Sequence, residues 1–385
     1  MSAVASDPIV IIAPEHDAHA QAVRDRLHAM GAEVMILETA RFPGELRISL
    51  GTRLDDVEID GRRIAPAAIY IRDLGLNPSG PGNDLAAGMT ADWRRTLAAL
   101  HERTEFVISL MRRWEAAGVP VYNPLSAYER ITKPYQIALL AAAGLPVPAT
   151  RWTNDPDRVR EFAATGPLIY KPVMGGAATR KLVDDDLGDG RLGRLRAAPV
   201  CFQEHLPGTD LRIYVVDGEV VASIAIKTDA IDFRGHELAL EPFALDDRLR
   251  EICIRATGVL GLRFTGMDVK LDAHGEPRIL ELNPSPMFVG FDQRAGTDVL
   301  GALCAGLARH ARHARHASGA RAIDTSTCAS PASSTAAPSG SASGARVTVA
   351  SACSPSQSAW SASMASTAPE PGPGPAPTPT TMRSV

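Results

Sequence analysis

The chain begins with a short apolar run, an amphipathic stretch and a second apolar run. The segment PIVIIAP at residues 8–14 predicts a buried strand. Val23, Leu27 and Met30 then follow at the helical spacing of three to four, before Gly31 ends the predicted helix. Because a strand, a helix and a strand in this order favour a parallel sheet, we expect an α/β domain that ends near residue 120.

Two further units follow this first domain. The second unit covers residues 121–195 and is predicted to contain a helix at 133–144, a short helix at 155–164 and a strand at 167–173. The third unit covers residues 196–316 and is predicted to contain two hairpins, at 213–226 and 264–283, and helices at 246–261 and 297–311. In the first hairpin, Asp217 and Gly218 supply a two-residue turn between apolar strands.

The last part of the chain has no pattern that would form a core. Residues 317–385 are mainly Ala, Ser, Thr, Pro and Gly, and we predict a disordered tail because little apolar surface offsets the ordering entropy. Just before it, His310, His313 and His316 recur at every third position. A metal site on one helix face is one interpretation, but a basic helix end is favoured because cations suit the helix C-terminus.

Composition argues against nucleic-acid-binding, membrane-spanning and secreted classes of protein. A net charge of −4 gives no general attraction to nucleic acid or to anionic lipid. No apolar run approaches the ~20 residues of a membrane helix, and the first residues lack a secretory signal pattern. The five cysteines include no CxxC pair, which indicates a reducing compartment. We therefore expect a cytoplasmic protein with no nucleic-acid or membrane partner.

The strongest chemical pattern lies on the second hairpin. Glu281 and Asn283 are two residues apart on its return strand and therefore share a face. If Asp268 on the first strand lies opposite them, three oxygen-bearing side chains converge. Such hard ligands suit Mg²⁺, although a polar sheet face or an Asn-initiated turn is the alternative. The apolar flanks place these acids close to a core, where a carboxylate pair is costly without a cation.

Basic residues elsewhere could complete an anion site. Lys171 ends an apolar strand before the Gly175-Gly176 turn, and Lys133 opens a helix. A point charge beside bare backbone N–H groups suits phosphate, although either lysine alone is more often a surface residue. Asp210 and Arg212 alternate out of one strand and are either a surface ion pair or groups that contact a ribose and a transferring phosphoryl group.

These segments, in this order, resemble the ATP-grasp superfamily, and most nearly its ribosomal protein S6 modification and glutathione-synthetase-like branch. The matching text is YNPLSAYERITKPYQIALLAAAGLPVPAT, LIYKP, FQEHLPGTDLRIYVVDGEVVASIAI, DFRGH and GMDVKLDAHGEPRILELNPSP. The resemblance implies an α/β (α+β) ATP-grasp fold with a small lobe at 121–195 and a large lobe at 196–316. The first 118 residues fit the preceding domain loosely, and they are also similar to ATP-grasp maturases of ribosomally made peptides.

The resemblance also implies roles for individual residues. Those expected to bind ATP are Lys133, Lys171, Glu204, His205, Asp210 and Arg234. Those expected to hold Mg²⁺, or Mn²⁺ in its place, are Asp268, Glu281 and Asn283. Arg212 and Arg234 are the candidate catalytic residues, with Arg212 stabilising an acyl-phosphate step. The chain departs from the branch after Lys171, where only two glycines stand in a usually longer loop, and at Lys227, where an arginine is frequent.

Three functional hypotheses remain open from the sequence. The first is an ATP-dependent carboxylate–amine ligase that joins amino acids or peptides through an acyl phosphate. The second is a peptide maturase that forms side-chain amide or ester links. The third is a nucleotide-binding protein without turnover, which only the altered glycine loop supports. The substrates would be a small-molecule or peptide carboxylate and an amine, and homo-oligomerisation is left open.

Overall fold

The computed structural model describes residues 7–77, 85–174, 177–233 and 235–324 of the 385-residue chain. The N-terminal domain is built around a four-stranded parallel sheet of order β2-β1-β6-β7, beside a small antiparallel sheet of order β3-β4-β5. Its elements are β1 (Ile9–Ile12), α1 (Ala18–Ala29), β2 (Val34–Leu37), β3 (Ile48–Leu50), β4 (Val57–Ile59), β5 (Arg62–Arg63), β6 (Ala68–Ile71), α2 (Leu85–Ala116) and β7 (Val121–Tyr122).

The predicted β-α-β start and its parallel sheet are confirmed. Asp17 begins α1 because its side chain accepts a hydrogen bond from the Ala20 N–H at 2.8 Å. Val23 and Leu27 are fully buried, whereas Met30 lies beyond the helix and is exposed. The long helix α2 begins at Leu85 and is kinked at Asp92.

The small sheet is antiparallel and has the order β10-β9-β11-β8. The elements of this part of the chain are α3 (Leu125–Tyr128), α4 (Lys133–Ala142), β8 (Thr150–Thr153), α5 (Pro156–Ala163), β9 (Leu168–Pro172), β10 (Arg180–Lys181), α6 (Asp189–Leu192) and β11 (Val200–Glu204). Strand β11 pairs with both β9 and β8, so the small sheet extends beyond the expected limit at residue 195. Helix α4 packs in the core of the large sheet instead.

The large sheet has five antiparallel strands in the order β14-β13-β12-β15-β16. Its elements are β12 (Gly208–Val216), β13 (Glu219–Lys227), β14 (Ala239–Pro242), α7 (Asp247–Leu260), β15 (Phe264–Asp272), β16 (Pro277–Asn283), α8 (Val289–Ala295) and α9 (Val299–Asp324). Both predicted hairpins are present. The sequence pattern had not indicated β14 or α8.

The two faces of the large sheet have different partners. One face carries Ile213, Met267 and Ile279, which pack with α4 and α7. On the other face, Tyr214 and Phe264 join a core that also contains residues of β1, α1 and α9. This second face becomes polar toward the start of β12 and the end of β15, where Asp210 lies opposite Lys270 and Arg212 lies opposite Asp268.

Helix α9 packs in the same core as strand β1. Leu303 and Leu307 of α9 are fully buried in the same core as Ile9 and Ile11 of β1. Helix α9 continues to Asp324, past the expected tail boundary at residue 317, while the predicted tail from residue 325 onward lies outside the described residues. Within the described part of the chain, no helix combines the length and apolar composition needed to cross a bilayer.

Candidate active site

Three predicted metal ligands lie on one face of the large sheet. Strand β15 pairs with β16 so that Asp268 lies opposite Glu281 and Gly266 lies opposite Asn283. A register shift after Asp268 accommodates one extra residue in β16. Because this residue precedes Glu281, Glu281 and Asn283 remain two residues apart on the same face. The structure therefore brings together the three oxygen-bearing side chains that the sequence pattern placed on this hairpin.

Each carboxylate has a cationic neighbour. Lys133, the first residue of α4, donates to Glu281 Oε2 with its Nζ at 2.8 Å. Arg212 lies beside Asp268 across the β12–β15 ladder, with 3.1 Å between Nη1 and Oδ1. This pair is close but not aligned for hydrogen bonding, because among the described residues Asp268 Oδ1, Arg212 Nη1 and Arg212 Nε have no hydrogen-bond partner. These polar atoms are buried.

The ionised form of the Asp268 carboxyl is electrostatically unfavourable in the free protein. Burial raises its pKa from the usual 3.8 to about 6, the guanidinium of Arg212 opposes this rise, and Glu281 adds to it. A divalent cation would relieve this cost, because it supplies the positive charge and the ligand bonds that the buried oxygen lacks. The donor set of two carboxylates and one amide oxygen fits Mg²⁺ by its chemistry.

The Asn283 side chain is held in a defined orientation. Its Oδ1 accepts a hydrogen bond from the Ser285 N–H at 3.0 Å, and the carbonyl of Asn283 accepts one from Thr265 Oγ1 at 2.9 Å. The first contact identifies which end of the amide is oxygen, and it leaves a lone pair of that oxygen for a cation. The turn and the metal-ligand interpretations of Asn283 are therefore compatible.

Lys171 reaches the same space from the small sheet. Its Nζ donates to Gln203 Oε1 at 3.2 Å, and Gln203 Nε2 in turn donates to Thr150 Oγ1 at 2.9 Å. Burial lowers the pKa of Lys171, and the charges of Glu281 and Lys133 also act on this ammonium group. Two lysines from different parts of the chain thus face the carboxylates.

Asp210 lies two residues before Arg212 on β12. It is 6% exposed and forms an ion pair with Lys270, whose Nζ is 2.9 Å from Asp210 Oδ2. Burial raises the pKa of Asp210, and the hydrogen bond from Lys270 opposes that rise. A surface ion pair between Asp210 and Arg212, one of the two interpretations of this pattern, is not formed, because Arg212 pairs with Asp268 while Asp210 pairs with Lys270 across the ladder.

Glu204 and His205 form the connection between the two sheets. The Glu204 N–H donates to the Ala149 carbonyl at 3.0 Å, and its side chain accepts from the Ala149 N–H at 2.9 Å. The His205 N–H donates to the Pro167 carbonyl at 2.9 Å. These backbone N–H groups hold strand ends together, so an adenine contact through either N–H would compete with an existing bond.

Arg234 and the Gly175-Gly176 turn lie outside the described residues. The segments beside them approach one another, because the Thr179 N–H donates to Asp232 Oδ2 at 3.0 Å. The sequence analysis missed two contacts that shape the site, those of Gln203 with Lys171 and of Lys270 with Asp210. Period-two spacing puts Lys270 on the same face as Asp268, but it does not indicate which strand lies beside either residue.

A family model described as a RimK-like ATP-grasp domain matches residues 132–307. The ribosomal protein bS6–L-glutamate ligase of Salmonella paratyphi B is 31% identical over 224 residues, which are 54% of this chain and 73% of that protein. The probable alpha-L-glutamate ligase of Thioalkalivibrio sulfidiphilus is 28% identical over 214 residues, 52% of this chain and 71% of that protein.

The chain belongs to the RimK-like ATP-grasp family. ATP-dependent ligation is thus its activity, and the predicted fold and enzyme class are confirmed. Among solved structures, the ATP-grasp ligase PsnB, in complex with a phosphomimetic variant of its minimal precursor, Mg and ADP, is 47% identical with a TM-score of 0.75. That match covers 80% of this chain and 100% of the PsnB chain, and it agrees with the predicted cofactors ATP and Mg²⁺.

A more distant structure extends the fold comparison. The macrocyclase MdnC from Microcystis aeruginosa, bound to its precursor peptide MdnA, has a TM-score of 0.65 at 19% identity. The match covers 78% of this chain and 99% of the MdnC chain. At this identity the likeness concerns the fold alone.

Proposed function

We propose that this ligase activates an acidic side chain of a peptide with ATP and joins it to a side-chain amine or hydroxyl. The observation that carries the proposal is the partly buried set of Asp268, Glu281 and Asn283, with Lys133 bonded to Glu281 and Lys171 close enough to feel the charge of both carboxylates. This is an arrangement that suits a metal-bound triphosphate. The substrate class is supported by the 47% identity with PsnB, a match that covers 80% of this chain and 100% of the PsnB chain.

The proposed metal site consists of Asp268, Glu281 and Asn283. Mg²⁺, or Mn²⁺ in its place, would neutralise phosphate charge there and polarise the transferring phosphoryl group. In the free protein the positive charges of Lys133 and Arg212 compensate the charges of Glu281 and Asp268. When a metal ion compensates the carboxylates instead, these two side chains would be in place to contact phosphate. The fit rests on Asp268 Oδ1, which has no hydrogen-bond partner in the described part of the chain, and on the raised pKa of Asp268.

The nucleotide would extend from this site toward the connection between the two sheets. Lys171 and Lys133 are proposed to contact phosphate oxygens, and Asp210 is proposed to accept from ribose hydroxyl groups. Glu204 and His205 would border the adenine. Arg234 is a further proposed phosphate contact on sequence grounds. Because Lys171 is already desolvated, it donates to phosphate with a smaller loss of hydration than an exposed lysine would.

Two chemical steps complete the proposed reaction. An oxygen of the substrate carboxylate attacks the γ-phosphorus of ATP, the bond to the bridging oxygen breaks, and ADP leaves. The amine or hydroxyl then attacks the acyl carbon, loses its proton, and phosphate departs. Arg212 is the proposed stabiliser of the charge that develops on the transferred group, because it lies beside Asp268 and its buried Nη1 and Nε lack hydrogen-bond partners among the described residues.

ADP release and product mass together test the proposal. Peptides that contain both an acid and a Lys, Ser or Thr are expected to elicit ADP and to lose one water per new link. Glu281→Gln is expected to abolish both signals. The matched control Glu219→Gln removes an exposed carboxylate from the same sheet and is expected to leave both unchanged. ADP formation by Glu281→Gln at the rate of the unaltered protein would contradict the assignment of Glu281.

Glutamate addition is the second candidate function. It is supported by the bS6–L-glutamate ligase of Salmonella paratyphi B, which matches 54% of this chain. In that case ADP release requires free L-glutamate, and the acceptor gains one glutamyl residue rather than losing water. Nucleotide binding without any ADP release across both substrate sets would instead favour the hypothesis of a protein without turnover.

A further inference from the structure

An arginine of the N-terminal domain contacts the loop that follows the proposed metal strand. Arg72 directly follows β6, and its Nη1 donates to the Ser285 carbonyl at 2.6 Å and to Ser285 Oγ at 2.7 Å. In return, Ser285 Oγ donates to the Arg72 carbonyl at 2.7 Å. Both the main chain and the side chain of Ser285 are therefore fixed by one residue that lies 213 positions away in the sequence.

The guanidinium of Arg72 is itself held in place. Its Nε is 3.2 Å from Asp17 Oδ2, and the Arg72 side chain is only 9% exposed. The other oxygen of Asp17 caps α1 through the Ala20 N–H. A buried, charge-assisted contact of this kind leaves the arginine little freedom, so its two donors to Ser285 have a fixed direction.

Ser285 connects this arginine to Asn283. The Ser285 N–H donates to Asn283 Oδ1 at 3.0 Å, which is the oxygen proposed to bind metal. The resulting chain of contacts runs from Asp17 through Arg72 and Ser285 to Asn283. Groups that hydrogen-bond to a metal ligand set its orientation, and their loss typically weakens metal binding about 10–100-fold.

We propose that Arg72 is a positioning residue that aims the Asn283 amide oxygen at the metal through Ser285. This inference rests on the proposed function, because it takes Asn283 as a metal ligand. It assigns to the N-terminal domain a direct part in assembling the metal site, in addition to any contact that this domain makes with substrate.

A role in holding the domains together would not require Arg72. Asn123 is fully buried at the same junction, and its Nδ2 donates to the carbonyls of Phe264 at 2.6 Å and Pro284 at 2.7 Å. Its Oδ1 accepts from the N–H groups of Arg263 and Phe264. These four bonds remain when Arg72 is replaced, so the replacement is expected to alter the aim of Asn283 more than the docking of the domain.

Mn²⁺ binding to the full chain, measured by electron paramagnetic resonance in the presence of ADP, tests the proposal without turnover. Arg72→Met is expected to weaken Mn²⁺ binding about 10–100-fold. Arg72→Lys retains the charge but not the paired donors, and is expected to weaken it less. The control Arg63→Met removes an arginine of the same domain that pairs with Asp55, and is expected to bind Mn²⁺ normally.

Ser285→Ala supplies a second, milder variant. It removes the two hydroxyl contacts with Arg72 and keeps the N–H that reaches Asn283, so a loss of Mn²⁺ affinity smaller than that of Arg72→Met is expected. If Arg72→Met does not fold, Arg72→Lys and Ser285→Ala decide the outcome. Normal Mn²⁺ affinity in the folded Arg72 variants and in Ser285→Ala overturns the proposal.

Steady-state kinetics provide the second readout. The Mg²⁺ concentration at half-maximal rate should rise in Arg72→Met, and excess Mg²⁺ should restore most of kcat, which a general loss of structure would not allow. Asn283→Ala distinguishes the metal assignment of Asn283 from the positioning role of Arg72. If Asn283→Ala binds Mn²⁺ normally, the metal assignment itself is wrong, whereas weak binding by Asn283→Ala with normal binding by Arg72→Met refutes only the positioning role.

Discussion

Replacing Asp268 with asparagine should stabilise the metal-free protein while abolishing its activity. The change keeps the shape of the side chain and removes the charge that burial disfavours. Burial raises the pKa of Asp268 from 3.8 to about 6 even with Arg212 beside it. Ionisation of this carboxyl therefore opposes folding, and Asp268→Asn removes that opposition together with a proposed metal ligand.

The pKa gives the magnitude and the pH range. A rise from 3.8 to about 6 corresponds to about 3 kcal/mol at ~1.4 kcal/mol per pH unit. Below pH 3.8 the group is protonated in both states and contributes nothing. Between there and about pH 6 the folded state binds more protons, so stability falls as pH rises, and the full loss is present at neutral pH. We expect Asp268→Asn to recover ~1–3 kcal/mol at pH 7, because an amide replaces the protonated carboxyl only approximately.

Thermal unfolding in EDTA at pH 7 and at pH 5 measures this effect. Asp268→Asn should have a Tm at least ~2 °C above that of the unaltered protein at pH 7, with a smaller difference at pH 5. Added Mg²⁺ and ADP should raise the Tm of the unaltered protein and not that of the variant. A variant that is less stable than the unaltered protein at pH 7 in EDTA, or that still forms ADP, would refute the reasoning.

Three further changes test other parts of the site. Lys171→Met should raise the KM for ATP at least ~10-fold, because a charge-assisted phosphate contact is lost, and unchanged ATP kinetics would exclude Lys171 from the phosphate site. Lys133→Met should weaken ATP binding. Because the change also removes the ammonium group that lies 2.8 Å from Glu281, it should tighten Mn²⁺ binding in the absence of nucleotide. A Mn²⁺ titration that shows weaker binding would contradict this expectation. Gly266→Ala should reduce kcat at least ~10-fold in a folded protein, because a Cβ would lie 2.6 Å from Pro286 Cβ and 3.3 Å from Arg212 Nη1; activity within twofold of normal would show that the loop and the arginine adapt.

Contacts within one hairpin were predictable from the sequence. Glu281 and Asn283 share a face because strand side chains alternate, and a tight turn near Gly275 brings Asp268 opposite them. The Asp217-Gly218 turn fixed the first hairpin in the same way. In both cases local geometry determines which side chains meet, so no knowledge of the rest of the fold is needed.

Contacts between distant segments were not predictable from pattern. The sequence placed Asp210 and Arg212 on one face but did not reveal that β15 lies beside β12, and this neighbour redirects the two residues toward Lys270 and Asp268. The contact of Arg72 with Ser285 depends on how the N-terminal sheet docks against the large sheet. Tertiary packing alone determines such pairs, since neither residue lies in a motif that names the other.

The position of α9 has a consequence for how the protein is made. Leu303 and Leu307 fill the same core as Ile9 and Ile11, so strand β1 is covered by a helix that is synthesised after both the small and the large sheet. While the intervening chain is being synthesised, that apolar surface has to be shielded by transient contacts or by a chaperone. Synthesis that stops before α9 would leave an aggregation-prone N-terminal fragment, and this ligase therefore reaches its native state only after α9 has been made.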